Sequence, residues 1–234
     1  MQQDLRRNIA LVRQKIARAA RLAGRDPAQV TIVAVTKTVT PDVAALALQE
    51  GLAHLGENRV QELLHKQEKL SGLPAVWHLI GHLQTNKVKY LPGKVALVHS
   101  LDSWHLAREI SRRFQAAGEV CRALVQVNVS GEKSKHGFAP GEVADFLAAA
   151  RELPALELCG FMTMAPLVDE AEEARPVFRQ LKTLAACWQA DHPALDLSIL
   201  SMGMSNDYEV AVQEGSTMVR IGSAIFGWNG FGQC

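Results

Sequence analysis

The stretch VTIVAVTKTVTPDVAALALQE, residues 30–50, decides the fold class. It begins with an apolar, β-branched run typical of a buried parallel strand, and after Pro41 it continues with apolar residues at helical spacing. The residues between strand and helix, TKTVTPD, contain no glycine. An open doubly wound sheet that binds a dinucleotide favours a glycine-rich turn at this point. The stretch therefore favours a barrel over the doubly wound alternative.

The same alternation of a short apolar run and a longer helical segment repeats along the chain. Eight strand candidates occupy residues 30–36, 54–56, 77–80, 95–100, 122–128, 156–163, 197–200 and 218–222. Helix candidates occupy residues 3–23, 41–50, 59–70, 86–90, 104–117, 140–152, 170–191 and 207–214. Eight strand candidates that alternate with helix candidates predict an α/β fold, a single (β/α)8 TIM barrel with an extra N-terminal helix. We expect one domain over residues 1–234, with the helix within 1–25 and the barrel over 30–227.

Composition and charge exclude several classes of partner. The 234 residues carry 25 Lys and Arg against 24 Asp and Glu, which gives a net charge of +1. The chain therefore lacks the excess of positive charge that binding to the phosphates of a nucleic acid requires. The apolar runs are far shorter than the ~20 residues that span a bilayer, and the charged amphipathic start does not resemble a signal peptide. We therefore expect a cytoplasmic protein without nucleic-acid or membrane partners.

A metal site is not predicted either. The four cysteines, Cys121, Cys159, Cys187 and Cys234, lie tens of residues apart and form no CxxC pair. His78 and His82 would share a face of one strand, but no carboxylate cluster accompanies them in the sequence, and such pairs more often line a site than bind an ion.

Lys37 stands out at the end of the first strand candidate, because functional residues of barrels lie at the carboxyl ends of strands. Period-two alternation places Val33, Val35 and Lys37 on the face that forms the barrel interior. An ammonium group there is costly to desolvate and calls for an anion, a lowered pKa or a covalent partner. The alternative, in which the side chain reaches past the rim to solvent, stays open.

Two turns near the end of the chain are suited to phosphate. SMGMSND, residues 201–207, and RIGSA, residues 220–224, follow the last two strands, where barrels commonly bind phosphate through backbone amides and hydroxyls. Pyridoxal phosphate is an aldehyde cofactor that needs a lysine, a phosphate site and a partner for its pyridine nitrogen. Arg220 would point inward beside these turns, and its alternative role is an interior salt bridge to a carboxylate such as Glu57.

Seven motifs in order resemble the pyridoxal phosphate homeostasis protein family. They are AVTKTVTPD (34–42), GENRVQE (56–62), WHLIGHLQTNKVK (77–89), VHSLD (98–102), VNVSGEKSKHGF (127–138), GFMTMAP (160–166) and SMGMSNDYEVAVQEGSTMVRIGSAIFG (201–227). The resemblance implies a barrel like the N-terminal domain of alanine racemase, of fold type III, with pyridoxal 5′-phosphate as cofactor. It implies an internal aldimine on Lys37 and Arg220 facing the pyridine nitrogen. It further implies cofactor contacts from Ser201, Ser205, Gly222 and Ser223 at the phosphate, and from Asn58 and His82 around the ring.

The function implied is binding rather than catalysis, with no catalytic residue assigned. A guanidinium is only a donor, so Arg220 leaves the pyridine nitrogen unprotonated and weakens the ring as an electron sink. Alanine-racemase-like enzymes also draw a tyrosine from a second domain, and neither Tyr90 nor Tyr208 follows a predicted strand here. We expect a monomeric protein of intracellular pyridoxal phosphate homeostasis, whose partners are the cofactor and apo forms of enzymes that use it.

Two alternatives stay open at this point: a weak amino-acid racemase using the same lysine, and a cofactor-free barrel enzyme acting on a phosphorylated metabolite. The loop after the fifth strand carries Lys133 and Lys135, which would reach toward the cofactor or simply be solvated loop charges.

Overall fold

The computed structural model describes residues 2–132 and 135–227. In these residues, parallel strands pair in sequence order and close into one barrel, because the first strand also pairs with the last. The strands are β1 Thr31–Val35, β2 His54–Glu57, β3 Val76–Leu79, β4 Leu97–Leu101, β5 Cys121–Gln126, β6 Leu156–Met162, β7 Ile199–Ser201 and β8 Met218–Ile221. The predicted (β/α)8 barrel is confirmed.

Helices alternate with the strands and cover the outside of the barrel. They are α1 Gln2–Leu22, α2 Pro41–Gln49, α3 Val60–Lys69, α4 Trp104–Ala116, α5 Val143–Ala150, α6 Arg175–Asp191, α7 Tyr208–Gln213 and α8 Ser223–Phe226. The extra helix α1 buries an apolar stripe at helical spacing, including Leu5, Ile9 and Val12, and packs against α7 and α8. Among the described residues, none of the helices combines the length and the apolar composition that a bilayer crossing requires.

The element bounds differ from the predicted ones mainly at turns. The predicted helix 86–90 is a 3-10 helix, Thr85–Tyr90, and the predicted helices 140–152 and 170–191 each begin with a separate 3-10 turn, Pro140–Glu142 and Ala171–Ala174. The first strand ends at Val35, one residue earlier than predicted. Periodicity locates an element well, but its end depends on local hydrogen bonds that the pattern does not contain.

One glycine is required by the close approach of β6 and β7. Gly160 has φ +140°, and a Cβ at this position would lie 2.0 Å from the carbonyl oxygen of Ile199. The register of β5 against β6 shifts between Ala123 and Val125, opposite this point. A side chain at residue 160 would therefore force the two strands apart.

The barrel interior is partly polar. An apolar cluster of Val33, Leu97, Leu124, Cys159, Met162 and Met218 fills part of it. Barrel interiors are usually filled by bulky branched side chains in layers. Here the strands also contribute the buried polar residues His78, His99, Gln126, Ser201 and Arg220. Such groups need hydrogen-bond partners inside the barrel, and those partners define the candidate site.

Candidate functional site

Lys37 lies at the mouth of the barrel rather than within it. Because β1 ends at Val35, Lys37 falls in the following turn, and it is exposed. Of the two placements left open for its ammonium group, the structure shows the one at the rim and not the one inside the barrel. No hydrogen bond or ion pair engages its Nζ within the described parts of the chain. Its amine is free to meet a ligand.

The turn that carries Lys37 is anchored by a buried ion pair outside the barrel wall. Lys66 of α3 donates from Nζ to Oε1 of Glu57 at 2.7 Å and to the carbonyl oxygen of Thr36 at 2.5 Å. The Thr36 hydroxyl donates to the same Glu57 oxygen at 2.6 Å. Both charged side chains are almost fully buried. This network fixes the residue immediately before Lys37.

Arg220 of β8 is buried inside the barrel and held by three hydrogen bonds. Its Nη1 donates to the carbonyl oxygen and to the Oγ of Ser201, at 2.8 and 2.7 Å, and its Nη2 donates to the carbonyl oxygen of Thr163 at 3.0 Å. Burial lowers the pKa of Arg220 to about 10, and the nearby charge of Asp207 opposes this shift. The guanidinium is therefore still a cation at neutral pH.

The predicted alternative, an Arg220–Glu57 salt bridge, does not form, because Glu57 pairs with Lys66. Within the described residues no carboxylate forms a salt bridge with Arg220. Three of the five N–H groups of its guanidinium are used by Ser201 and Thr163. The other two, on Nη2 and Nε, are available to a ligand.

The turn after β8 presents backbone amides around one hydroxyl. Ser205 Oγ accepts hydrogen bonds from the backbone N–H of Gly222 at 3.3 Å and of Ala224 at 3.2 Å. A Cβ on Gly222 would lie 3.4 Å from Cβ and from the carbonyl oxygen of Val35, so this turn lies against the end of β1. The structure thus brings together Ser205, Gly222 and Ser223 close to the strand that leads to Lys37.

Ser201 has different surroundings from those we predicted. It is the last residue of β7 and is fully buried, whereas we expected it in a phosphate-binding turn together with Ser205. Its hydroxyl contacts Arg220 and lies 2.9 Å from Nδ1 of His99. The turn begins only after the strand ends, so the serine that opens the SMGMS motif faces the barrel interior.

Asn58 and His82 follow β2 and β3 at the same rim. A Cβ on Gly81 would lie 2.4 Å from the Asn58 carbonyl oxygen, so the two strand ends approach closely. Asn58 is half-buried, and the His82 side chain is 46% exposed. His82 Nδ1 lies 2.9 Å from Oδ2 of Asp102, and its ring stacks on that of His136 at 4.2 Å between centroids.

In the described residues, the three side chains His82, Asp102 and His136 are the one group whose potential metal-ligand atoms lie within 4.8 Å of one another. No metal site was predicted from the sequence, where these three residues lie far apart because they follow three different strands. The His82–Asp102 contact of 2.9 Å is a hydrogen bond, so the carboxylate orients the His82 ring as the structure stands.

The lysines of the loop after β5 are only partly described. Lys135 Nζ lies 2.7 Å from Oε1 of Glu132 and 3.3 Å from Oγ of Ser130 in its own loop, and 3.4 Å from the carbonyl oxygen of Met164, which follows β6. Lys133 lies outside the described residues.

Sequence reasoning missed several residues of the site. His99 and Thr163 contact the Arg220–Ser201 pair, Asp207 influences the charge of Arg220, and Lys66 anchors the Lys37 turn. The signal that could have indicated His99 was a polar residue inside a predicted apolar strand. No comparable signal identified Lys66, which resembles any lysine of an amphipathic helix.

Comparisons with known proteins identify the family of the chain. Residues 3–230 match the family described as "Alanine racemase, N-terminal domain". A protein of Aquifex aeolicus named "Pyridoxal phosphate homeostasis protein" is 44% identical over 219 residues, which is 94% of this chain and 96% of that protein.

Among solved structures, PipY of Synechococcus elongatus with PLP bound is 36% identical, with a TM-score of 0.80 over 91% of this chain and 100% of PipY. An alanine racemase of Clostridium difficile, 17% identical and with a TM-score of 0.72, shares the fold over 96% of this chain and 55% of its own. The chain belongs to the pyridoxal phosphate homeostasis protein family, within the wider family of the alanine racemase N-terminal domain.

Proposed function

We propose that this protein binds pyridoxal 5′-phosphate reversibly at the mouth of the barrel and holds it for other enzymes, without turning over a substrate of its own. The proposal is carried by one observation: an exposed lysine that has no partner in the described part of the chain, a turn with serine hydroxyls and a buried arginine with spare donors occur at the adjoining ends of β1, β7 and β8. These are the three kinds of group that the cofactor needs.

The turn after β8 fits the phosphate group. The amides of Gly222 and Ala224 surround Ser205, whose hydroxyl proton remains available to donate to a phosphate oxygen. The Ser223 hydroxyl stands at the start of α8 in the same turn. Because those two amides donate to Ser205, the donors left for a phosphate dianion are the hydroxyls of Ser205 and Ser223, and hydroxyls in such a turn suit that group without requiring a nearby cation.

Lys37 would hold the other end of the cofactor. When bound, pyridoxal phosphate supplies an aldehyde that condenses with a primary amine. Lys37 offers such an amine at the mouth, and the Lys66–Glu57 pair fixes the backbone from which it extends. An exposed lysine also leaves the bond accessible to an incoming amine, which suits release as well as retention.

Arg220 would contact the pyridine nitrogen through the N–H groups that the protein leaves free. A guanidinium is a donor that keeps its own protons, so the ring nitrogen stays an acceptor and the ring withdraws electrons weakly. This favours binding over chemistry at an amino acid carbon. The names of the relatives support the same reading, since one is called a pyridoxal phosphate homeostasis protein and PipY is described with PLP bound.

The alternative of a racemase finds less support. Racemisation needs an acid or base on each face of the ring. The chain contains two tyrosines. Tyr90 is exposed in a 3-10 helix, and Tyr208 is buried at the start of α7, where burial raises its pKa to about 12. Neither is suited to exchange a proton with a substrate.

Absorption spectroscopy and mass mapping test the proposal. The purified protein is mixed with pyridoxal phosphate, its visible spectrum is recorded, and it is reduced with borohydride and digested. We expect a visible band that borohydride abolishes and a pyridoxyl adduct on Lys37. Lys37→Ala should lack the band, while the control Lys135→Ala should keep it. An unmodified Lys37 in a yellow protein, or the absence of any band, would overturn the proposal, and the latter would favour a cofactor-free enzyme.

A further inference from the structure

A row of three histidines and one serine crosses the barrel interior by hydrogen bonds. His54 Nδ1 lies 2.9 Å from Nε2 of His78, His78 Nδ1 lies 2.9 Å from Nε2 of His99, and His99 Nδ1 lies 2.9 Å from Oγ of Ser201. The four residues come from β2, β3, β4 and β7. His78, His99 and Ser201 are fully buried, and His54 is half-buried. We call this row the histidine chain.

The direction of the hydrogen bonds follows from Ser201. Arg220 Nη1 donates to Ser201 Oγ and cannot accept, because a guanidinium has no acceptor. The buried hydroxyl still needs an acceptor for its own proton. Within the described residues, the acceptor in hydrogen-bond contact with this hydroxyl is Nδ1 of His99. The Ser201 proton therefore points to His99 and a lone pair of Ser201 points to Arg220.

The tautomers of the histidines follow in turn. His99 accepts at Nδ1, so its proton is on Nε2 and is donated to Nδ1 of His78. His78 likewise carries its proton on Nε2 and donates it to Nδ1 of His54. Neutral rings are required for this pattern. Burial lowers the pKa of His99 well below its ordinary value and that of His78 to about 3, so both are neutral at physiological pH.

A reversed hydroxyl would disturb Arg220. If His99 instead donated to Ser201, the serine hydroxyl proton would have to find another acceptor. Turned toward Arg220, this proton would be repelled by the guanidinium N–H groups. Because His99 takes this proton, both hydrogens of Nη1 are satisfied by Ser201, and the plane of the guanidinium is fixed. The orientation of its spare N–H groups depends on this arrangement.

We propose that His99 is a positioning residue for Arg220: it accepts the Ser201 hydroxyl proton, and His78 and His54 hold it in the tautomer that can do so. The proposal rests on the proposed function in one respect, that Arg220 contacts the ring of bound pyridoxal phosphate. The arrangement itself exists in the ligand-free protein and can be measured there.

The first measurement uses nitrogen NMR of the ligand-free protein. Long-range ¹H–¹⁵N spectra report which ring nitrogen of each histidine carries the proton. We expect His78 and His99 in the wild type to be neutral and protonated on Nε2. A proton on Nδ1 of His99, or a charged His99 at neutral pH, would overturn the proposal whatever the variants do.

The second measurement compares His99→Leu, His99→Asn and the control His105→Leu, which replaces an exposed histidine of α4. Asn offers a carbonyl oxygen near the place of Nδ1, and Leu offers no acceptor. We expect the Arg220 Nη1 hydrogens, which both donate to Ser201, to exchange with solvent about tenfold faster in His99→Leu than in the wild type, the factor that about 1.4 kcal/mol of lost hydrogen bonding corresponds to. His99→Asn should restore slow exchange. Equal exchange in His99→Leu and the wild type would overturn the proposal.

Cofactor binding is the third measurement. His99→Leu should weaken pyridoxal phosphate binding about fivefold or more and alter its visible band, while His99→Asn and His105→Leu should not. Unchanged binding and an unchanged band in His99→Leu would contradict a role toward the cofactor. If the wild type bound no pyridoxal phosphate, the proposed function would fail, but the measurements on the ligand-free protein would still decide the role of His99.

Discussion

At the scale of single residues, the two serines of the SMGMS motif have separate environments. Ser205 lies among the amides of the turn after β8, whereas Ser201 is buried against Arg220. We predict that Ser205→Ala weakens pyridoxal phosphate binding about tenfold or more, because one hydrogen bond to a charged group contributes about 1.5–3 kcal/mol. The visible band should not shift, since Ser205 does not contact Arg220. Titration followed by absorbance measures both. A shifted band with unchanged affinity would contradict the assignment of Ser205 to the phosphate.

A second prediction at this scale concerns pH. Burial, with smaller effects from His54 and Arg122, lowers the pKa of His78 to about 3 from an ordinary value of 6.5. Below pH 6.5 the unfolded chain therefore binds a proton at residue 78 that the folded protein does not bind. The free energy of unfolding consequently falls as pH decreases, by about 1.4 kcal/mol per pH unit. His99, which faces His78 from β4, is also held neutral by burial and acts in the same direction.

Urea unfolding at pH 7.5 and at pH 5.0 tests this. Between pH 7.5 and pH 5.0, we expect the free energy of unfolding of His78→Asn to fall by about 2 kcal/mol less than that of the wild type, because residue 78 no longer titrates. The control His105→Asn should behave like the wild type. Equal losses in His78→Asn and the wild type would show that residue 78 does not carry the effect.

At the scale of elements, α3 holds the end of β1 through a buried ion pair. The second carboxylate oxygen of Glu57 has no hydrogen-bond partner among residues 2–132 and 135–227, so removing Lys66 would leave a buried charge almost uncompensated. We predict that Lys66→Met lowers the free energy of unfolding by about 3–5 kcal/mol, and that Lys66→Met with Glu57→Met recovers at least half of this loss.

Urea denaturation measures both variants of the pair, with Lys69→Met as the control, since Lys69 is an exposed lysine of the same helix. A single variant as stable as this control would contradict the prediction. A double variant no more stable than the single one would show that the loss came from packing rather than from the uncompensated charge.

The elements also show what the sequence could predict. The barrel was predictable because each strand and helix carries its own periodicity, and so was the position of Lys37 and Ser205 after β1 and β7. The histidine chain was not, because His54, His78, His99 and Ser201 meet only through the register of separate strands. Alternation alone could not decide between a buried and an exposed Lys37, because it was extended two residues beyond Val35, where the strand ends.

At the scale of the whole molecule, the barrel offers an exposed amine at its mouth and a fixed cation inside. Release of a carbonyl cofactor to an incoming amine requires access to the Lys37 side, but no proton removal from carbon. Racemisation requires that a proton leave the amino acid and return on the other face. Under the proposed function, Arg220 would weaken the ring for that step. Tyr208 is buried with a raised pKa. Exchange should therefore be faster than turnover.

We predict that the loaded protein reactivates an apo-form pyridoxal phosphate enzyme while converting L-alanine to D-alanine far below about 1 s⁻¹, the lower end of ordinary enzyme rates. Recovered enzyme activity and a chiral assay of alanine measure the two processes in the same preparation. Lys37→Ala incubated with the cofactor and then freed of unbound cofactor is the control, and it should transfer none. Racemisation at about 1 s⁻¹ or above would overturn the carrier function in favour of a racemase, because an arginine-paired ring would then have sustained the carbanion chemistry that its donor-only partner disfavours.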